Sequence, residues 1–120
     1  MALNIKPARK VSLNGFAVGW DDCFVIVKAI DGDEARKISA AITDAESKSD
    51  EVALGNTLEK FCHANIVGGA ILNTGDDGVE HRYEFSKEEV PAVTAALGIA
   101  WQIEVLSVAT GSDRLKSLNN

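Results

Sequence analysis

The sequence predicts a small, single α+β domain in which an N-terminal β-hairpin and a second short hairpin pack with about four helices. Its length of 120 residues suits one domain with one core. Segments rich in β-branched residues lie next to turns that contain glycine and aspartate, and segments with helical apolar spacing follow capping residues. We expect residues 1–110 to form the domain and residues 111–120 to form a disordered polar tail.

The first hairpin is predicted from two apolar segments that a short turn separates. Residues 11–18 form the first strand, residues 19–22 the turn and residues 23–30 the second strand. The second strand carries the stronger signal because it is dense in β-branched residues. Two strands this close in sequence are expected to pair in antiparallel orientation.

Two helices are predicted to follow. Asp31 is the N-cap of the first, and Glu34, three residues later, completes a capping-box pattern. The apolar positions behind this cap recur at helical spacing: Ala35, Ile38, Ile42 and Ala45. The polar residues 46–50 end this helix. A second helix is predicted from Asp50 to Ala64, although Gly55 weakens it by roughly 1 kcal/mol relative to alanine.

The second hairpin is predicted around an Asp-Gly turn. Residues 65–72 are compatible with a helix end or a strand, and their paired glycines and β-branched residues favour a strand that starts after Gly68. This strand pairs with residues 79–85 across the turn at residues 75–78, because Asp-Gly is a favoured hairpin sequence.

The start of the last helical region has the clearest local signal. Ser86 is predicted as its N-cap, Glu89 closes the capping box, and Phe85 packs as a hydrophobic staple. Gly98 is expected to break or kink the helix. The segment Ile99–Thr110 fits both the alternation of a strand and the face of a helix, and we predict a helix.

No combination of residues predicts a catalytic, cofactor-binding or metal site, and we expect a protein that is not an enzyme. A calcium loop counted from Asn73 has Gly75 at its third position, which offers no side-chain oxygen. Cys62 and His63 are neighbours on a predicted helix and project in different directions, whereas zinc needs three or four converging ligands. A Cys62–His81 dyad would need the fold to bring both residues together.

Other chemical signals have simpler explanations. The acidic pairs Asp33–Glu34 and Glu88–Glu89 lie at predicted helix starts, where the helix dipole favours negative charge. Gly68–Gly69 lacks the further glycines and the lysine of a phosphate loop. Cys23 and Cys62 are expected to be buried, reduced thiols.

Charge and hydropathy limit the partners. The net charge of −6 and the pI of about 4.8 oppose nonspecific binding to nucleic acid. Residues 1–10 lack the apolar run of a signal peptide, and we expect no stretch that approaches a transmembrane span. The sequence therefore predicts a cytoplasmic protein that binds neither nucleic acid nor membranes.

Four residues are predicted to bind a protein partner. Trp20 and Trp101 are candidates because tryptophan is enriched in interface hot spots, and Trp20, in an acidic turn, is predicted to be the more exposed. Phe24 and Ile26 lie in the first hairpin, which could present a free strand edge that a partner extends.

Two parts of the sequence set its layout. One is a strand, an acidic turn and a helix start at residues 11–34, and the other is the Asp-Gly turn at residues 75–78, which leads through residues 83–90 into a capped, acidic helix start. This layout, over roughly residues 5 to 110, resembles that of the tail assembly chaperones of long-tailed bacteriophages. The Gly68–Gly69 pair and the strand-like alternation around Trp101 depart from it.

The resemblance implies a protein of the host-cell cytoplasm that is not an enzyme and needs no cofactor. It would bind the tape-measure protein, keep its hydrophobic helices soluble and help to recruit the tail-tube protein. Self-association into a homo-oligomer is left open. An acidic module with an apolar face suits this role, since hydrophobic contacts supply binding and like charge limits self-aggregation.

Two other functions stay open at the level of sequence. An acidic inhibitor or decoy of a host enzyme such as a nuclease would carry its carboxylates on one continuous exposed face, whereas many carboxylates here are predicted to cap helices. A small hydrolase or metal enzyme would need Cys62, His63 and His81 to converge in the fold.

Overall fold

The computed structural model describes residue 3 and residues 7–111, and within this range the chain forms a four-stranded antiparallel sheet with three α-helices. The elements are β1 (Ala8–Ser12), β2 (Phe24–Lys28), α1 (Gly32–Ser47), α2 (Glu51–Asn65), β3 (Ile66–Thr74), β4 (Glu80–Phe85) and α3 (Val90–Thr110), and a 3-10 turn at Lys87–Glu89 precedes α3. The predicted α+β class is confirmed. The predicted tail lies, from residue 112 onward, outside the described residues.

The predicted number of about four helices is one too high. The segments on either side of Gly98 run on as one kinked helix, with Gly98 at φ 77° and ψ 172°. The predicted break at this glycine and the predicted helical state of residues 99–110 are both confirmed. Across the kink, the buried Gln102 side-chain amide donates to the Thr94 carbonyl at 2.9 Å and so links the two segments of the helix.

The two predicted hairpins join in one sheet of strand order β1-β2-β3-β4. The link is the antiparallel pairing of β2 with β3, which runs from Phe24↔Ala70 to Val27↔Ile66, with a register shift between Ile26 and Val27. This pairing brings together strands that α1 and α2 separate in sequence. No pattern of neighbouring residues therefore predicts it.

The first strand lies earlier than predicted. Residues 11–18 were expected to form it, but the strand is Ala8–Ser12 and an irregular loop follows. Gly15 and Gly19 have φ values of 91° and 87°, which glycine adopts readily and a strand does not. The apolar residues of this loop instead hold it against the rest of the domain, since Leu13 is fully buried in the core.

Gly69 allows β2 and β3 to approach closely. Its φ is 149°, and a Cβ atom placed on it would lie 2.2 Å from the Phe24 carbonyl oxygen and 3.0 Å from the Phe85 ring. A Cβ on the neighbouring Gly68 would meet only an ordinary contact, 3.6 Å from the Phe85 carbonyl oxygen. Gly69 is therefore a packing feature of a strand that begins at Ile66, three residues before the predicted start after Gly68.

The helices cover one face of the sheet. Val25 and Val27 of β2 point into the core with the buried residues of α3, while the alternate residues Phe24 and Ile26 stay half-buried on the opposite face. The helix layer is held mainly by α2 packed on α3 and by α3 packed on the sheet. The helix α1 makes most of its contacts with α2.

The predicted caps at Asp31 and Ser86 form, and Asp50, which was predicted only as the start of the second helix, is a further cap. Asp31 accepts a hydrogen bond from the Glu34 backbone N–H at 2.8 Å at the start of α1. Asp50 does the same for Ala53 at 3.0 Å, so α2 begins one residue after its predicted start. Before α3, the Glu89 carboxylate accepts from the Ser86 backbone N–H at 3.0 Å, as the predicted capping box requires.

The last helical region is long and apolar, which contradicts the expectation that no stretch of the chain approaches a membrane span. The segment Lys87–Thr110 has 24 residues and is long and apolar enough to cross a membrane by length and composition alone. The reason is that residues 90–103 carry no charged side chain. Core packing accounts for part of this character, since Val93, Leu97 and Val105 of the same helix are buried against the sheet and α2.

Candidate partner-binding surfaces

The four predicted partner-binding residues do not form one surface. Phe24 and Ile26 lie next to each other on the sheet face that α1, α2 and α3 leave uncovered. The Lys10 ammonium lies 4.5 Å from the centroid of the Phe24 ring, a cation–π contact across β1 and β2. The Lys10 side chain thus covers part of the Phe24 ring.

The two tryptophans meet on the helical side of the sheet. Phe16 lies between them, with its ring centroid 4.6 Å from that of Trp20 and 5.8 Å from that of Trp101. Trp20 is only 9% exposed and belongs to the core, whereas Trp101 is half-buried. The expectation that Trp20 is the more exposed tryptophan is wrong, because the loop after β1 folds its aromatic residues inward and joins the core.

The free strand edge expected of the first hairpin does not include Phe24 or Ile26. Their strand, β2, pairs with β1 on one side and β3 on the other. The outer strands of the described sheet are β1 and β4. The β1 segment carries Arg9 and Lys10, and charged side chains on an edge strand discourage the addition of a further strand.

A groove between α1 and α2 offers a different apolar surface, which no sequence motif indicated. Its floor is formed by Ile38 and Ala41 of α1 and by Phe61 and Ala64 of α2, and Lys37 and Lys60 lie at its edges; we call these six residues the α1–α2 groove. The cavity there has a volume of about 320 Å³, at the lower end of the range of small-molecule pockets.

The groove is open because α1 is held at one end. The Asp50 backbone N–H donates to the Ala45 carbonyl at 2.8 Å across the short link between the helices, and Ala45 is the one residue of α1 that is fully buried. At the other end, the small side chains of Ala41 and Ala64 leave space between the helices. The half-buried Ile38 therefore borders a cavity instead of a filled core.

The charges around the groove are unevenly paired. On the solvent side of α1, Arg36 pairs with Asp33, and Lys48 pairs with Asp44 at 3.1 Å. Lys37 and Lys60 form no ion pair within the described part of the chain. Two lysines without an acidic partner in the described part of the chain thus border the same groove, one on each helix, in a protein whose net charge is −6.

The residues considered for catalysis lie in different surroundings. Cys62 is fully buried, and burial raises the pKa of its thiol to about 12, so it is not a thiolate nucleophile at neutral pH. His81 is exposed and its Nε2 lies 3.2 Å from Asp77 in the hairpin turn. Among residues 3 and 7–111, no group of three or more histidines, cysteines and acidic residues is placed to hold a metal ion.

Several carboxylates are engaged in local structure. Asp31 and Asp50 cap helices, and Asp77 accepts from the Val79 backbone N–H at 2.9 Å in the hairpin turn. This hydrogen bond lowers the pKa of Asp77, and the bond from the Ser86 backbone lowers the pKa of Glu89 in the same way. These carboxylates belong to caps and turns on separate elements, not to one acidic face.

Comparison with known proteins gives no family for this chain. It matches no known protein family, no curated protein and no solved structure. The functional assignment therefore depends on its own sequence and geometry.

Proposed function

We propose that this protein is a tail assembly chaperone of a long-tailed bacteriophage, without enzymatic activity, which acts in the host-cell cytoplasm. It binds the tape-measure protein, keeps it soluble and helps to recruit the tail-tube protein. The observation that supports the proposal best is the α1–α2 groove, an apolar surface that the chain's own core leaves open. The resemblance in layout supplies the identity of the client.

The groove has the properties that a chaperone of helical segments needs. Burial of apolar surface gives roughly 25 cal/mol per Å², so a few client side chains seated on Ile38, Ala41 and Ala64 supply reversible binding. A small groove of about 320 Å³ limits the affinity, which allows release when the client assembles. The net charge of −6 keeps loaded and empty chaperones apart.

The proposal is tested by solubility in co-expression. A hydrophobic helical fragment of a tape-measure protein is expressed alone, with this protein, or with an unrelated acidic domain of similar size. The expected result is that the fragment moves from the pellet to the soluble fraction with this protein only, and that the two co-purify. Failure of every tape-measure fragment to gain solubility or to co-purify would refute the proposed function.

A further inference from the structure

We infer that the α1–α2 groove receives an amphipathic helix of the client whose apolar ridge is flanked by carboxylate side chains. This inference rests on the proposed function and adds the chemistry of the bound segment. It is carried by three observations: the open apolar floor, the relative direction of the two helices and the unpaired lysines.

The shape of the groove fits a helix. A three-residue link, residues 48–50, joins α1 to α2, and the N-terminal half of α1 borders the C-terminal half of α2. The two helices are therefore antiparallel, and a third helix laid along them completes a small helical bundle. An apolar ridge spaced at i, i+3 and i+4 would contact Ile38 and Ala41 on α1 and Ala64 on α2.

The charges around the groove determine which side chains are favoured on either side of the client helix's apolar ridge. Lys37 on α1 and Lys60 on α2 lie on opposite walls and have no acidic partner in the described part of the chain. Glu34, at the start of α1, is the one acidic residue that borders this cavity among those described. Carboxylates on both sides of the ridge would meet the two ammonium groups, whereas lysines there would be repelled.

The direct test measures two peptides against the full chain. Both are helical peptides with the same leucine and alanine ridge, and they differ only in having glutamate or lysine at the flanking positions. Fluorescence anisotropy is expected to give about tenfold tighter binding of the glutamate peptide, because two exposed ion pairs replace two repulsive pairs. The preference should shrink as ionic strength rises.

Two tryptophan variants locate the binding. Ala41 borders the cavity and is exposed, so Ala41→Trp fills the groove without entering the core. Ala40 is exposed, does not border the cavity and serves as the matched control. We expect Ala41→Trp to weaken the glutamate peptide at least tenfold and Ala40→Trp to leave binding unchanged. Circular dichroism and thermal unfolding of both variants check that each is folded.

A charge-reversal variant tests the selection itself. In the double variant Lys37→Glu, Lys60→Glu, the preference is expected to invert in favour of the lysine peptide. Equal binding of both peptides to the natural chain, or full binding by folded Ala41→Trp, would overturn the inference. If a tape-measure fragment is still solubilised in that case, the proposed function stands and only this groove is wrong. If the peptides behave as expected and no fragment is solubilised, the proposed client is wrong.

Discussion

The helices α1 and α3 contrast in how sequence pattern relates to burial. The 16-residue α1 has a clear apolar stripe, yet Ala45 is its one fully buried residue. The 21-residue α3 is apolar on nearly all sides and buries seven residues, which lie on both sides of its kink. Periodicity thus identifies the face that a helix turns inward, but the amount of burial depends on how many elements cover that face.

The difference follows from position. The helix α3 packs on α2 and on the strands β1, β2 and β3, while α1 packs chiefly on α2. An element with few buried apolar contacts opens at lower free energy than the element at the centre of the core. The helix α1 is the least covered of the three and also borders the α1–α2 groove. The proposed binding site therefore lies at the edge of the domain and not in its core.

The largest expected loss of stability comes from a substitution in the sheet beneath α3. Gly69→Ala would force a Cβ to within 2.2 Å of the Phe24 carbonyl oxygen at a φ of 149°. We expect this change to lower the free energy of unfolding by about 3 kcal/mol or more. The measurement is urea unfolding followed by circular dichroism. Gly68→Ala is the control and should change stability by less than about 1 kcal/mol; similar losses for both would show that the close approach of the strands is not essential.

The next effect compares the two helices directly. Leu97 of α3 is 5% exposed, so Leu97→Ala should cost about 2–5 kcal/mol of unfolding free energy. Ile42 of α1 is only half-buried, and Ile42→Ala should cost about 1 kcal/mol, as expected for partial burial. Chemical denaturation of both variants gives the two values. If Ile42→Ala proves as costly as Leu97→Ala, α1 is part of the main core and the contrast fails.

A smaller effect concerns the end of α3. The Arg9 guanidinium donates to the Val108 carbonyl at 3.0 Å, near the negative end of the helix dipole. Arg9→Met keeps the aliphatic stem and should cost about 1–2 kcal/mol. The control is Arg36→Met, because the Arg36–Asp33 pair on α1 is exposed and should contribute about 0–0.5 kcal/mol. Thermal unfolding measures both, and equal shifts in Tm would argue against a stabilising role for Arg9.

Local patterns predicted the parts of the fold that depend on neighbours in sequence. The cap at Asp31, the capping box at Glu89, the Asp-Gly turn and the break at Gly98 all form as expected. Each depends on residues within a few positions of one another, so composition and spacing are sufficient to specify it.

Features that depend on distant residues could not be predicted. The pairing of β2 with β3 spans two helices, and the burial of Trp20 depends on a loop that folds onto the core. The groove depends on how far two helices diverge, which the small residues Ala41 and Ala64 permit but do not specify. Of the predicted site residues, Phe24, Ile26 and Trp101 are half-buried, and Trp20 is buried. The family resemblance remains a prediction.

The smallest effect is a pH dependence at the start of α3. The bond from the Ser86 backbone N–H, together with a 2.8 Å hydrogen bond from the Tyr83 hydroxyl, lowers the pKa of Glu89. A carboxyl whose pKa is lower in the folded state stabilises the fold at pH values above its unfolded pKa, which is about 4.3. That stabilisation is lost as the pH falls through the lowered value.

Glu89→Gln should therefore be less stable than the natural protein at pH 7, and the difference should shrink towards pH 3. The urea midpoint measured across this range gives the result. Glu88→Gln is the control, because Glu88 accepts no hydrogen bond within the described part of the chain. The pKa of Asp77 is also lowered, but Asp77 is present in both variants and therefore contributes equally to the pH dependence of their stability. A constant difference between Glu89→Gln and the natural protein at every pH would mean that the charge of Glu89 does not stabilise this junction, and that β4 and α3 are joined by packing alone.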